Sequence, residues 1–163
     1  MTTPVITTPV TRRRMGLLLS GLGLATAHAQ PKPSSPCAVH QEIDFKAPPS
    51  RVYEILLDAK QFSAFTRDPA EIEPRPGGAF KLFGARVEGR NIELIPTRRI
   101  VQAWRSNAWP AAAYSIVHFE LAPGAQGSRL ILDHTGFPDG EQQSLTEGWP
   151  RMYWEPLRKY LAA

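Results

Sequence analysis

The chain has one cysteine, Cys37, so no internal disulfide can form and a disulfide-stapled fold is excluded. Histidine is nearly as scarce. Only His40, His118 and His134 lie beyond residue 29, and strand alternation puts the first two on the outer side of a sheet and the third on its inner side. They do not converge as the three or four ligands of a metal site must. A serine nucleophile elbow, a phosphate-cradling glycine loop and a dinucleotide fingerprint are all missing, so no cofactor is called for. The longest apolar run, residues 15–27, is well short of the roughly 20 residues of a membrane-spanning helix. Concentrated basic charge is missing too. Three of the 19 basic residues and none of the 15 acidic ones precede Gln30, so the remainder carries a formal charge of only +1. Its basic residues are scattered apart from Arg98-Arg99 and Arg158-Lys159, which excludes a nucleic-acid surface.

What is present begins with an export signal over residues 1–29. Arg12, Arg13 and Arg14 precede the apolar run, and Ala27-His28-Ala29 offers small residues at the positions a signal peptidase accepts. Thr11-Arg12-Arg13-Arg14-Met15 resembles a twin-arginine signal, and Gly16, Gly21 and Gly23 keep the run mildly hydrophobic. Cleavage after Ala29 predicts a periplasmic or secreted protein with no stable membrane span. A Pro- and Ser-rich lead-in over 30–38 follows, in which Cys37 is a spare thiol or an intermolecular bridge. One domain, 39–163, remains.

That domain is organised around its last stretch, GWPRMYWEPLRKYL over 148–161. Trp149, Met152, Tyr153, Leu157 and Tyr160 recur at helical spacing, with Leu145 and Pro156 on the same side. Pro150 is tolerable in a first turn, whereas Pro156 predicts a kink. Upstream, residues 39–45 alternate as a half-buried strand with Val39, Gln41, Ile43 and Phe45 inward. Pro48-Pro49-Ser50 opens a helix with Val52, Ile55, Leu56 and Ala59 as its stripe, and Asp58 caps a short second helix carrying Phe62 and Phe65. Strands are predicted over 79–83, 87–95, 98–105, 114–122 and 128–135, with turns at Gly77-Gly78, Gly84 and Pro96. Facing apolar sets in the last hairpin set its register: Phe119 opposite Leu132, Val117 opposite His134, and on the outer face His118 opposite Asp133. The order predicts an α+β fold, an antiparallel sheet with helices gathered on one face.

Phe83-Gly84, the run Ile95-Pro96-Thr97-Arg98-Arg99-Ile100-Val101, Trp104-Arg105, Trp109-Pro110, His134-Thr135-Gly136-Phe137-Pro138 and Gly148-Trp149 carry a resemblance over residues 39–161. In this order and spacing the chain resembles the heat-shock-protein-90 ATPase activator homologues, a branch of the START and Bet v-like (SRPBCC) superfamily. The resemblance implies a helix-grip fold: a curved antiparallel sheet wrapped around a long C-terminal helix, two short helices after the first strand, and in many members a hydrophobic cavity between sheet and helix. The eukaryotic activators serve a cytosolic ATP-driven chaperone, which an exported protein would not meet.

Trp104, Phe119, Leu132, His134, Trp149, Met152 and Tyr153 are then the candidate ligand-binding residues, with His134 and the Tyr153 hydroxyl orienting an apolar small molecule or lipid. Side chains that simply fill the core are the competing account. No catalytic residue is assigned, since His134 has no acidic partner placed inward beside it. A superfamily-type hydrolase or cyclase using His134 stays open, as does a chaperone-cofactor-like domain binding a protein partner. His118 and Asp133 are expected to form a solvated cross-strand ion pair.

Overall fold

The computed structural model describes residues 38–163; the expected export signal, most of the expected lead-in and Cys37 lie outside the described residues. Strand β1 (Ala38–Phe45) is followed by helices α1 (Pro49–Leu57) and α2 (Ala59–Thr66). Six strands come next: β2 (Glu71–Ile72), β3 (Ala79–Leu82), β4 (Val87–Ile95), β5 (Arg99–Ser106), β6 (Ser115–Gly124) and β7 (Gly127–Thr135). The chain ends in α3 (Gln142–Trp149), a π-helical turn (Pro150–Trp154) and α4 (Glu155–Leu161). The seven strands form one curved antiparallel sheet in the order β1-β7-β6-β5-β4-β3-β2. This is the helix-grip arrangement. Strand β2, only two residues long, is the one strand the alternation pattern does not reveal.

Alternation decides which side chains reach the helices. Val117, Phe119 and Leu121 of β6 and Leu130, Leu132 and His134 of β7 are all buried, and the register pairs Phe119 with Leu132 and Val117 with His134. A side chain at Gly89 would collide with the Phe80 ring and the Ala103 carbonyl, so the close approach there requires glycine. Asp58 caps α2 by accepting from the Gln61 N–H at 2.8 Å. Its own extended backbone ends α1, so the α1 stripe finishes with Leu57, and Ala59 belongs to α2.

The expected kink at Pro156 is replaced by a wider turn. A proline has no N–H for the carbonyl four residues back and its ring crowds that carbonyl. The chain answers with a π turn over Pro150–Trp154, closed by the Glu155 N–H on the Pro150 carbonyl. The face changes as a result. On a regular helix at about 100° per residue, Trp154 would lie about 140° from Trp149. The wider turn brings it round to stack on Trp149, with centroids 5.5 Å apart and planes 12° from parallel. Trp154 is thereby buried and donates to the Gln41 amide oxygen at 2.7 Å.

Candidate functional site

His134 lies at the centre of the packed interior with no exposed surface. The Trp149 indole N–H donates to its Nδ1 at 3.2 Å, and its Nε2 lies 2.7 Å from the Ser115 hydroxyl oxygen. Nδ1 is therefore an acceptor, Nε2 carries the proton and donates to Ser115, and Ser115 in turn donates to the Trp104 carbonyl at 2.9 Å. Every polar atom in this chain of contacts is satisfied. Burial lowers the His134 pKa to about 3, so the ring is neutral at ordinary pH. Trp104, Phe137 and Trp149 enclose it edge-on at 5.1, 5.1 and 5.6 Å. With both nitrogens engaged by neutral groups, His134 is held here as a hydrogen-bonded residue of the core.

The space directly beneath the helices is full. Phe119, Leu132, Trp149 and Tyr153 are buried, and the gap left among Phe62, Phe80, Ile100, Phe119 and Tyr153 is about 10 Å³, scarcely room for one water. The open space lies beside the helix instead. A cleft of about 190 Å³ runs between α3, the π turn and the β4–β5 side of the sheet. Trp104, Trp109, Leu145, Trp149, Met152 and Tyr153 form its apolar lining, and Arg151, Ser144 and Glu141 stand among its polar residues. Of the sequence candidates, the structure brings Trp104, Trp149, Met152 and Tyr153 to the cleft; Phe119, Leu132 and His134 sit behind it in the core.

Sequence reasoning misses two parts of this wall. Phe83 reaches it from a left-handed backbone at φ 55°, a rare conformation for a bulky residue, which turns its ring onto Tyr153 at 5.2 Å. Trp109, on the loop after β5, packs on Trp104 at 5.3 Å. Phe83-Gly84 and Trp109-Pro110 both stand out as motifs, but nothing in their spacing tells where loop side chains point.

Two details mark the cleft. The Trp104 indole N–H is buried without a hydrogen-bond partner. It lies beside the Tyr153 hydroxyl. Burial raises the pKa of that hydroxyl and the Trp104 contact opposes the rise. Gly148 supplies the other detail, since a Cβ built there meets nothing within 4 Å.

On the outer face His118 and Asp133 are opposite in register but do not pair as expected. Asp133 takes His40 on the other neighbouring strand, at 2.7 Å, and His118 leans 3.4 Å from Glu120 on its own strand. The central strand β7 has a neighbour on each side, and the hairpin alone cannot tell which one its carboxylate will choose. A larger hollow at the far end of the sheet contains Asp44, Arg129 and Arg158, but Arg129 is paired to Asp44 and Arg158 lies over the Phe45 ring. Among the described residues no group of three or more His, Cys, Asp or Glu is placed to hold a metal ion, and no helix is long and apolar enough to cross a membrane.

Sheet, gripped helix and lateral cleft define a helix-grip domain of the SRPBCC type. The family model described as activator of Hsp90 ATPase homolog 1-like protein matches residues 46–162, and the chain belongs to that family. The human activator of 90 kDa heat shock protein ATPase homolog 1 is 26% identical over 123 residues, 76% of this chain and 36% of the human protein. The Dictyostelium discoideum activator of 90 kDa heat shock protein ATPase homolog is 30% identical over 109 residues, 66% of this chain and 28% of its own length. The chain thus spans only 28–36% of the length of these relatives. Among solved structures, an HSP90 activator from Plasmodium falciparum superposes with a TM-score of 0.72 at 22% identity, covering 77% of this chain and 96% of that one. The Aha1 dimer from Colwellia psychrerythraea gives 0.65 at 15% identity, covering 76% and 95%. These two likenesses establish the fold.

Proposed function

We propose that this is an exported family member that binds one small apolar molecule, about the size of a single substituted ring, in the lateral cleft and does not transform it. The observation that carries the reading is the contrast in space: about 10 Å³ under the helix against about 190 Å³ beside it, walled by aromatic side chains. A dry cavity of about 150 Å³ is enough to hold benzene, so the cleft suits a single ring better than a lipid chain. Calorimetric titration of the full chain with single-ring compounds and with fatty acids tests this. Saturable binding of rings, abolished by filling the cleft with Leu145→Trp, is expected; binding that survives the filling defeats the proposal. Export rests on Arg12 to Arg14 and Ala27-His28-Ala29, and terminal sequencing of the native protein should begin at Gln30.

A protein-partner reading has one observation of its own. Tyr114 and Ile116, two residues apart on the outer face, are 50% and 41% exposed. Relatives of this chain carry the name of activators of a chaperone ATPase, so a chaperone-like partner is the natural candidate for that face. Tyr114→Ser/Ile116→Ser should abolish capture of such a partner while leaving ring binding intact.

A further inference from the structure

A hollow of about 760 Å³ opens where the end of β1, the β6–β7 turn and the end of α4 meet, against about 190 Å³ for the cleft. The two share no lining residue. Phe45 and Leu161, with Ala125 and Ala162, give the hollow its apolar surface, and Lys46, Arg129 and Arg158 line it with Asp44 as the single carboxylate. Arg129 is already engaged, at 2.9 Å from Asp44 and 3.2 Å from Glu42. Lys46 and Arg158 are exposed and close on no carboxylate among the described residues. The Arg158 guanidinium lies 5.9 Å from the Phe45 ring centre, and its charge reaches Asp44 without pairing to it. The carbonyl end of a helix carries partial negative charge, which opposes an anion; Arg158 and Lys159 in the last turn of α4 offset it.

We propose that this hollow is a second binding site, separate from the cleft, for a single-chain amphiphile with an acidic head group, a phosphate or a carboxylate, which meets Lys46 and Arg158 while the chain lies on Phe45 and Leu161. The two halves of the ligand answer two features of the hollow. A guanidinium presents paired N–H donors that match the oxygens of phosphate or carboxylate, and a lysine beside the same space adds a second positive charge. Exposed charge contacts are weak by themselves, so affinity also needs apolar area removed from water, which the aromatic and aliphatic side chains supply. The size suits this, since roughly 300–1,000 Å³ is the range of pockets that hold ligands of drug size.

Decyl phosphate and decanol share a chain and differ in charge. Titrated calorimetrically into the full chain, below the concentration at which it forms micelles, decyl phosphate should bind saturably and about tenfold more tightly than decanol, the effect of two exposed charge contacts. Lys46→Glu/Arg158→Glu should remove that preference. Lys46→Gln alone, at an exposed position, should remove part of it, a readout that stands even if the double variant fails to fold. Leu145→Trp, which fills the cleft, should leave decyl phosphate binding unchanged. No saturable binding of decyl phosphate, equal affinity for the two compounds, or a preference that both charge variants retain overturns the inference. Loss of binding in Leu145→Trp also overturns it, by placing the amphiphile in the cleft. So does capture by phosphatidylglycerol vesicles without binding of dispersed decyl phosphate, which would make this face a membrane contact.

Discussion

Trp149 and Trp104 lie with centroids 6.1 Å apart and both touch the cleft, yet their indole N–H groups turn to different surroundings. Trp149 gives one edge to the cleft, but its N–H turns into the packed interior to serve His134 and its ring stacks on Trp154. Trp104 borders the cleft, and its N–H has only the Tyr153 hydroxyl beside it, without a full hydrogen bond. The same residue type is structural cement on one side and an unfinished contact on the other. Burial is almost equal, at 3% and 5% exposed, so burial alone does not separate core from site. Polar satisfaction and neighbouring free volume do.

The largest expected effect belongs to the packed region. Trp149→Ala should cost stability near the top of the roughly 3–5 kcal/mol range for truncating a core aromatic, because it also leaves His134 Nδ1 without its donor. Denaturant unfolding measures this, and a loss under about 2 kcal/mol would show the interior to be looser than described.

Acid titration sharpens the same side. His134 has a folded pKa of about 3 against an ordinary 6.5, so below 6.5 the unfolded chain binds the extra proton and the folded one does not. Stability is full above about pH 6.5 and should fall by up to about 1.4 kcal/mol per pH unit between there and 3. His134→Gln, whose amide does not titrate, should remove that part of the slope.

The cleft side predicts smaller changes of the opposite sign. Gly148→Ala adds a methyl group where nothing lies within 4 Å and removes a helical glycine, so it should stabilise by about 0.5–1 kcal/mol. It should also weaken ring binding by narrowing the cleft. If the substitution destabilises the protein, the space at Gly148 is not free.

How much of this the sequence contains depends on which physical rule places each residue. Alternation with period two fixes the inner faces of β6 and β7, which is why the hairpin register is legible from the pattern of apolar residues alone. His134 reads as inward for the same reason, but its partners Ser115 and Trp149 come from another strand and a helix, which no local period connects. Trp154 escapes the pattern because a regular helix would turn it away; only the π turn demanded by Pro156 rotates it onto Trp149. The resemblance places a cavity between sheet and helix. The open space lies beside the helix, because Phe83 and Phe62 close on Tyr153 at 5.2 and 5.6 Å and fill the space beneath.

The weakest expected effect lies on the outer face. Asp133→Asn removes the hydrogen bond and charge that hold the His40 pKa above its ordinary value. Its titration, followed by NMR, should move down toward that value with no measurable change in fold.

Indole signals separate the two regions most directly. The four tryptophans give four side-chain N–H resonances, two of them from buried indoles with protein acceptors. Adding a single-ring compound to the full chain should shift the Trp104 resonance saturably, through the bound ring beside it, while that of Trp154, bonded to Gln41, stays in place. A Trp104 signal that does not move at saturating concentrations of such compounds, or a Trp154 signal that moves in its stead, would contradict the division of the molecule into a filled core and a lateral binding cleft.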